Sequence, residues 1–196
     1  MHTVVFEHHD DAAVLQVNDR VKLVLIAMQH AEGLFGLVET QRDYLRQWLP
    51  WVDNMVKVSS MERYIESCEI RQQAGQEYGF IIMVDDAIAG RLGVYKLDHQ
   101  NNSGEIGYWL AGELQRRGIV TESCRKLLSF CFETLGLHRL EIRCAIGNAK
   151  SAAIPKSLGF SFEGVMHEAE WLYDRFVDLE VYALLRHDYL WKQNMQ

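Results

Sequence analysis

The stretch from Glu105 to Glu122 passes directly from a β-strand pattern into a helical pattern. The strand reads Glu-Ile-Gly-Tyr-Trp-Leu, and the loop before the helix contains Gln-Arg-Arg-Gly at 115–118. The first amides of a helix have no partner inside it and carry the positive end of the helix dipole. Together with a flexible glycine they can bind a pyrophosphate. An ordinary strand-to-helix turn with two solvated arginines fits the same spacing equally well.

Strand and helix patterns alternate along the chain without a linker or an internal repeat. Alternating or β-rich runs predict strands, and apolar residues at helical spacing predict helices. The predicted strands are 14–17, 20–26, 79–84, 87–97, 105–110, 139–145, 160–170 and 175–185. The predicted helices are 29–47, which could be two helices, then Ser59 or Ser60 to Ala74, 118–135 and 149–158. This order predicts one α/β (α+β) domain over 1–196, with a mixed sheet and helices on both faces.

Composition and charge exclude several classes of protein. The formal net charge of −7 argues against a broad electrostatic grip on nucleic acid. It is compatible with a positively charged acceptor such as an amine. No segment approaches the roughly 20 apolar residues of a membrane span. We expect no metal site, and we interpret His-His-Asp-Asp at 8–11 as a solvated turn.

The four cysteines show no zinc-type spacing, and we interpret all of them as reduced thiols. Cys124 lies near a predicted helix start, which leaves two interpretations, a nucleophile or a packed thiol. We favour the packed thiol. Reduced thiols and the absence of a leader pattern at the N-terminus together predict a cytoplasmic protein.

Two sequence blocks resemble the GNAT superfamily of acetyltransferases. Gln-Arg-Arg-Gly-Ile-Val at 115–120 resembles its acyl-CoA pyrophosphate loop, Q/R-x-x-G-x-G/A, although Val120 stands where that pattern has a small residue. The flanking Glu-Ile-Gly-Tyr-Trp-Leu and Thr-Glu-Ser-Cys resemble the bacterial ribosomal-protein N-terminal serine/alanine acetyltransferases. Asn-Ala-Lys-Ser at 148–151 and Gly-Phe-Ser-Phe-Glu-Gly at 159–164 resemble the N-x-x-S … GF-x-x-E-G signature of that branch. The resemblance covers about 20–185.

The resemblance implies a GNAT fold, with a mostly antiparallel sheet that splays between the strand before the loop and the strand at 139–145. It also implies acetyl-CoA as the acyl donor. The pantetheine arm would lie in the splay, against the backbone of Trp109 and Leu110, and Asn148 would contact the same arm. Asn148 also suits a helix N-cap, and the two roles are compatible. The pyrophosphate would be held mainly by backbone amides of Gln115, Arg116, Arg117, Gly118, Ile119, Val120 and Thr121.

The resemblance also implies catalytic roles. Glu170 would be the base that deprotonates the amine, and Ser151 would donate a hydrogen bond or a proton to the departing sulfur. Glu105 is a rival base, because it opens the strand that faces the cofactor. The residues alone leave other roles open: Ser151 as a helix cap, Glu170 as a solvated strand carboxylate and Glu105 as a surface charge after a turn.

Acceptor specificity is less defined by the sequence. The segment Trp-Leu-Pro-Trp at 48–51 forms either one wall of the acceptor cleft or plain core, and Trp171 and Tyr173 would form the opposite wall. The leading hypothesis is acetylation of the N-terminus of a protein or peptide, with a ribosomal protein as the acceptor that the branch suggests. The alternatives are acetylation of a small amine (a polyamine or an aminoglycoside) and a non-catalytic acyl-CoA-binding protein. A homodimer is also expected, because relatives often pair through terminal strands.

Overall fold

One eight-stranded sheet runs through the part of the chain that the computed structural model describes, residues 14–193. Its strands are β1 (Val14–Gln16), β2 (Val21–Leu25), β3 (Tyr78–Val84), β4 (Ala87–Asp98), β5 (Ser103–Leu110), β6 (Arg139–Ala145), β7 (Ser161–Leu172) and β8 (Arg175–Leu185). The helices in these residues are α1 (Ala31–Thr40), α2 (Arg42–Leu45), α3 (Val58–Gln73), α4 (Ile119–Ser129), α5 (Ala149–Leu158) and α6 (Arg186–Gln193).

The sheet is mixed but mostly antiparallel. Its strand order is β1-β2-β3-β4-β5-β6-β8-β7, and within the described residues β5 and β6 form the single parallel pair. A parallel pair needs a crossover connection, which α4 provides between these two strands. The predicted mixed sheet is therefore confirmed, and its two long halves meet at the β5–β6 pair.

Helices cover both faces of the sheet, as predicted. Side chains alternate along β3, so that Phe80 and Ile82 belong to one apolar cluster and Ile81 to the other. The first cluster lies under α4, α5 and α6, and we call that side the α4/α5 face. The second lies under α1 and α3, on the side that we call the α1/α3 face. Consecutive residues of a central strand thus reach opposite sides of the protein.

The cysteines are free thiols, and all four are buried. Cys124 of α4 packs into the core, and burial raises the pKa of its thiol. A thiol whose charged form is disfavoured in this way is a poor nucleophile. The structure therefore supports the packed-thiol interpretation of Cys124.

The helices differ from the predictions in two respects, the start of α3 and the presence of α6. The predicted N-cap at Ser59 or Ser60 is wrong, because α3 already begins at Val58 and Lys57 occupies the cap position with extended backbone. Ser60 is instead buried inside the first turn. Helix α6 was not predicted at all. Its Tyr189 stacks on Phe132 with ring centroids 4.9 Å apart. In both cases tertiary packing outweighs local signals.

The long helix predicted over 118–135 is present in two parts. Helix α4 continues without a break into a π-helical segment, Phe130–Thr134, and the chain leaves it through Gly136, which has a left-handed φ of 68°. The His-His-Asp-Asp sequence at 8–11 lies outside the described residues. None of the helices within 14–193 is long and apolar enough to cross a bilayer.

Gly90 on β4 leaves no room for a side chain against β5. A methyl group at this position would lie 2.2 Å from the carbonyl oxygen of Trp109 and 2.8 Å from the Cα of Leu110. Both neighbours are backbone atoms at the end of β5 and cannot move without shifting the strand.

We predict that Gly90→Ala lowers the free energy of unfolding by about 2 kcal/mol or more, because overpacking against backbone forces a strand displacement. Urea denaturation would measure the change. Gly36→Ala is the matched control: Gly36 is exposed in α1 with open space around it, so alanine should raise stability by about 0.5–1 kcal/mol. Equal stability of the two variants would contradict the proposed contact.

Candidate active site

Strands β5 and β6 pair over only three residues and then separate. Ser103 to Glu105 lie beside Arg139 to Glu141, whereas β5 continues to Leu110 and β6 to Ala145 without further pairing. Along the separated stretches both strands remain paired to their outer neighbours, β4 and β8. The separation therefore leaves an open wedge within the sheet, and the predicted splay is confirmed.

Ion pairs surround the point where the wedge begins. On the α1/α3 face, the Glu105 carboxylate lies 2.9 Å from the Lys96 ammonium and 3.1 Å from the Arg143 guanidinium. Arg143 also pairs with Glu141 at 2.8 Å, and Glu141 pairs with Arg139 at the same distance. Glu105, the rival base, is thus held between two cations.

The loop after β5 brings the start of α4 to the wedge. Arg116 and Gly118 both have left-handed backbone, with φ of 60° and 76°. Gly118 is the N-cap residue, and the first-turn amides of Ile119 to Thr121 have no acceptor within the helix. Successive backbone amides exposed in this way form a concave site for an anion.

A cleft of about 340 Å³ lies between this loop, the wedge, α5 and the segment after α2. Nine of the ten predicted cofactor-binding residues line it: Trp109, Leu110, Gln115, Arg116, Gly118, Ile119, Val120, Thr121 and Asn148. The tenth, Arg117, is exposed, and its guanidinium donates to the carbonyl of Glu113 at 3.0 Å. Arg117 is therefore placed to add charge near the loop rather than to line the cleft.

A short chain of polar contacts crosses the mouth of the cleft. The Lys150 ammonium donates to the Gln115 side-chain oxygen at 2.8 Å, and the Gln115 amide donates to the Tyr44 hydroxyl. Lys150 also lies 5.9 Å from the centre of the Tyr44 ring. Neither Lys150 nor Tyr44 was predicted as a functional residue. Their contacts join α2, the loop and α5, so the cleft gains a cation next to the predicted pyrophosphate site.

Asn148 caps helix α5. Its side-chain oxygen accepts a hydrogen bond from the Ser151 amide at 3.1 Å, and the same residue lines the cleft. Both roles suggested by the sequence are thus compatible with its position. The cap places Ser151 in the first turn of α5, with its side chain at the cleft.

The Ser151 hydroxyl lies among groups from three elements. Its oxygen is 3.3 Å from the Cys144 sulfur on β6 and 3.4 Å from the Tyr108 hydroxyl on β5. The Tyr108 hydroxyl in turn donates to the Ser151 carbonyl at 2.9 Å. Burial raises the pKa of Tyr108 well above its ordinary value. Tyr108 was not predicted as a functional residue, although its place between the buried Ile106 and Leu110 could have assigned it to the α4/α5 face.

Glu170 lies on β7, opposite Val177 of β8. The register through β8 and β6 places it on the same face as Arg143 and Glu105, which is the face opposite to Ser151. Burial raises the pKa of the Glu170 carboxyl, and the nearby positive charge of Lys96 opposes that rise. Neither Glu170 nor Glu105 is among the residues that line the cleft.

The two predicted acceptor walls are partly brought together. Trp48 and Leu49 line the cleft, and the Tyr173 hydroxyl donates to the Leu49 carbonyl at 2.7 Å. The Arg46 guanidinium lies over the Tyr173 ring at 3.9 Å. Trp171 is one residue from Glu170 and so lies on the other face, half-exposed. The turn between β7 and β8 thus contacts the 48–51 segment through Tyr173.

Comparison with known proteins agrees with this geometry. The acetyltransferase (GNAT) domain family matches residues 20–161 of the chain. The chain belongs to the GNAT acetyltransferase family. It is therefore an acyltransferase, and the wedge, the amide-lined loop and α5 are the parts of the GNAT fold that form its cleft.

Two curated relatives cover most of this GNAT enzyme. It is 33% identical over 177 residues to YdaF of Bacillus subtilis, an alignment that spans 89% of this chain and 96% of YdaF. It is 26% identical over 169 residues to the ribosomal-protein-serine acetyltransferase of Escherichia coli, spanning 86% of this chain and 94% of the relative.

Solved GNAT structures extend the likeness to three dimensions. The microcin C7 self-immunity acetyltransferase MccE, in complex with acetyl-CoA and AMP, matches with a TM-score of 0.83 and 30% identity over 86% of this chain and 94% of MccE. The ribosomal alpha-N-protein acetyltransferase RimL, in complex with coenzyme A joined by a disulfide to one of its cysteines, matches with a TM-score of 0.87 and 25% identity. That match covers 90% of this chain and 99% of RimL.

Proposed function

We propose that the enzyme transfers the acetyl group of acetyl-CoA to the N-terminal amino group of a ribosomal protein or peptide. The observation that carries the proposal is the open wedge between β5 and β6, with Ser151 on one face of the sheet and Glu170 on the other. An amine that enters from the Glu170 side and a thiol that leaves on the Ser151 side would react through this opening.

The donor side of the cleft suits a thioester with a polyanionic tail. The amides at the start of α4 are proposed to hold the pyrophosphate, with Arg116 and Lys150 adding positive charge to an otherwise acidic protein. The pantetheine arm is proposed to bind the open backbone edge of β5 at Trp109 and Leu110, with Asn148 on the other side of the cleft.

Direct attack by the amine requires a base, an oxyanion site and a leaving-group partner. The amine lone pair attacks the thioester carbonyl carbon, and Glu170, acting directly or through water, accepts the proton that the amine loses. Backbone amides on the wedge stabilise the oxyanion. When the tetrahedral intermediate collapses, the carbon–sulfur bond breaks with its electron pair on sulfur, and the Ser151 hydroxyl donates a hydrogen bond to that thiolate.

Amine chemistry and the relatives both support the proposed acceptor class. An α-amino group has a pKa of about 7.7–8.0, whereas that of lysine is about 10.4, so an N-terminus needs less help from a base. A single, partly buried carboxylate such as Glu170 suits that modest requirement. The relatives named for ribosomal-protein acetylation, which align over almost their full length, support the same acceptor.

Acetylation of a small amine is the second candidate function. MccE, which is 30% identical over 86% of this chain, was solved in complex with acetyl-CoA and AMP, and this small ligand supports the second candidate.

We predict that the enzyme labels free peptide N-termini when it is given acetyl-CoA and a mixed acceptor pool. The pool would hold peptides beginning with serine or alanine, N-blocked lysine peptides, spermidine and an aminoglycoside, and mass spectrometry would locate the label. Label on the small amines alone would overturn the N-terminal proposal and leave the second candidate. The Ser151→Ala/Glu170→Ala double variant is the control: binding without turnover would support catalysis by these residues.

A second prediction concerns the acid limb of the kcat–pH profile at saturating acceptor. A base must be deprotonated, so kcat should fall as the pH is lowered through the raised pKa of Glu170. Lys96 favours the charged carboxylate, so Lys96→Met should raise this pKa further and move the limb to higher pH. Glu170→Gln should lower kcat and make the limb insensitive to Lys96→Met.

Lys22→Met is the matched control for Lys96→Met. Lys22 is also ion-paired, at 2.6 Å from Asp86, but lies on β2 away from Glu170. Its removal should leave the limb in place. An unmoved limb in Lys96→Met would exclude Glu170 as the group that titrates.

We also propose that two copies of the enzyme pair through β7. Within residues 14–193 this strand forms one border of the sheet and pairs only with β8. Its exposed side chains include the apolar Phe162, Val165, Met166 and Trp171. Antiparallel pairing of β7 with β7 of a second copy would satisfy the free backbone groups and bury these side chains in a two-fold interface.

Sedimentation equilibrium should therefore give about twice the chain mass of 22.7 kDa. Val165→Lys should shift the protein to monomer, because the two-fold axis brings the new charges together. Ile70→Lys, at a more exposed apolar position on α3, should leave the dimer intact. A monomeric wild-type protein would contradict the proposal.

A further inference from the structure

The Tyr108 hydroxyl of β5 lies beside Ser151 of α5 on the α4/α5 face. It donates to the Ser151 carbonyl at 2.9 Å and lies 3.4 Å from the Ser151 hydroxyl. Cys144, at the end of β6, completes the group with its sulfur 3.3 Å from the same hydroxyl. Tyr108 therefore spans the wedge, from the strand that lines it to the helix that carries Ser151.

These contacts restrict Ser151 in two ways. The hydrogen bond to its carbonyl holds the first turn of α5 against β5, in addition to the Asn148 cap on its amide. The contacts of its side-chain oxygen with Tyr108 and Cys144 favour one of the three staggered rotamers. A serine hydroxyl without such neighbours would rotate freely and spend less time directed at any one acceptor.

The hydrogen bonds of the two hydroxyl groups determine how Tyr108 can act. Its single proton is directed to the Ser151 carbonyl, so its oxygen serves the Ser151 hydroxyl as an acceptor. Burial raises the pKa of the phenol well above its ordinary value, so the group stays neutral over the working pH range. A phenol of this kind does not give up its proton to a thiolate, whose conjugate thiol is a stronger acid.

We infer that Tyr108 is a positioning residue that holds the Ser151 side chain in one rotamer, with its oxygen at the cleft where the sulfur departs. The inference rests on the role proposed above for Ser151. As the carbon–sulfur bond breaks, its electron pair goes to sulfur and the Ser151 hydroxyl turns its hydrogen from Tyr108 to the thiolate. Tyr108 keeps its own proton, and the thiolate is later protonated by water.

Tyr108→Phe tests the inference, because it removes the hydroxyl and keeps the ring that packs against the core. We expect kcat to fall about tenfold, the usual weight of one lost positioning hydrogen bond, while the KM for acetyl-CoA stays within about twofold. The kcat–pH profile should keep its limbs and lose only height, because a neutral phenol contributes no titration.

A double-mutant cycle with Ser151→Ala separates positioning from packing. If Tyr108 acts through Ser151, adding Tyr108→Phe to Ser151→Ala should slow the enzyme no further. Tyr189→Phe is the control, since it removes a comparable hydrogen bond, 2.7 Å to Glu133, away from the cleft. Thermal unfolding of each variant would show that the fold is retained.

The outcomes are distinguishable. A Tyr108→Phe variant with unchanged kcat, or one whose effect multiplies with that of Ser151→Ala, would overturn the inference while leaving Ser151 in its proposed role. A shifted basic limb would overturn it in favour of Tyr108 as a proton donor. Unchanged kcat in Ser151→Ala would remove the proposed role of Ser151 and the inference with it.

Discussion

The short parallel pairing of β5 with β6 is the constraint on which the rest of the structure depends. Three residue pairs join the strands before they separate, and the ion pairs of Glu105 with Lys96 and Arg143 lie where the separation begins. Because β5 remains paired to β4 and β6 to β8, the opening costs the sheet only the hydrogen bonds along one line. The backbone groups that are left unpaired there are available to a ligand, which is how a continuous sheet can contain a cleft.

The wedge also divides the chemistry between two faces. Residues of one parity on β5 and β6 point to α4 and α5, where Tyr108, Cys144 and Ser151 meet. Residues of the other parity point to the α1/α3 face, where Trp109 approaches Trp51 with ring centroids 6.1 Å apart and the charged groups gather around Glu105. A reaction in which the nucleophile arrives from one side of the sheet and the leaving group departs on the other suits such a division.

The cleft carries local positive charge, although the protein as a whole is negatively charged. The chain carries a formal charge of −7, yet Arg116, Lys150 and the start of α4 present positive charge around the predicted pyrophosphate site. On the opposite face, Glu170 is half-buried beside Lys96, so its charge state reflects burial and a neighbouring cation in competition. The local arrangement, rather than the net charge, therefore sets what each end of the opening can bind.

Much of the architecture was readable in the sequence, because periodicity and turn chemistry are local. Leu140, Ile142 and Cys144 alternate in the sequence and are buried together on one face of β6. Gly118 adopts the left-handed conformation that its place before a helix suggests, and Asn148 forms the N-cap. Nine of the ten cofactor-binding residues that the resemblance to a known family implied line one cleft.

Contacts between distant segments had no local signal, and only the tertiary structure decided them. Tyr108 and Ser151 are 43 residues apart and meet because β5 and α5 flank the same opening. Lys96 reaches Glu105 from an irregular stretch of β4 with a left-handed φ of 50°, which strand alternation does not foresee. The sequence by itself determined the types of element, their order and the loop that marks the donor site. The register of the strands and the separation of β5 from β6 determined which side chains share a site, because those depend on how the whole sheet packs.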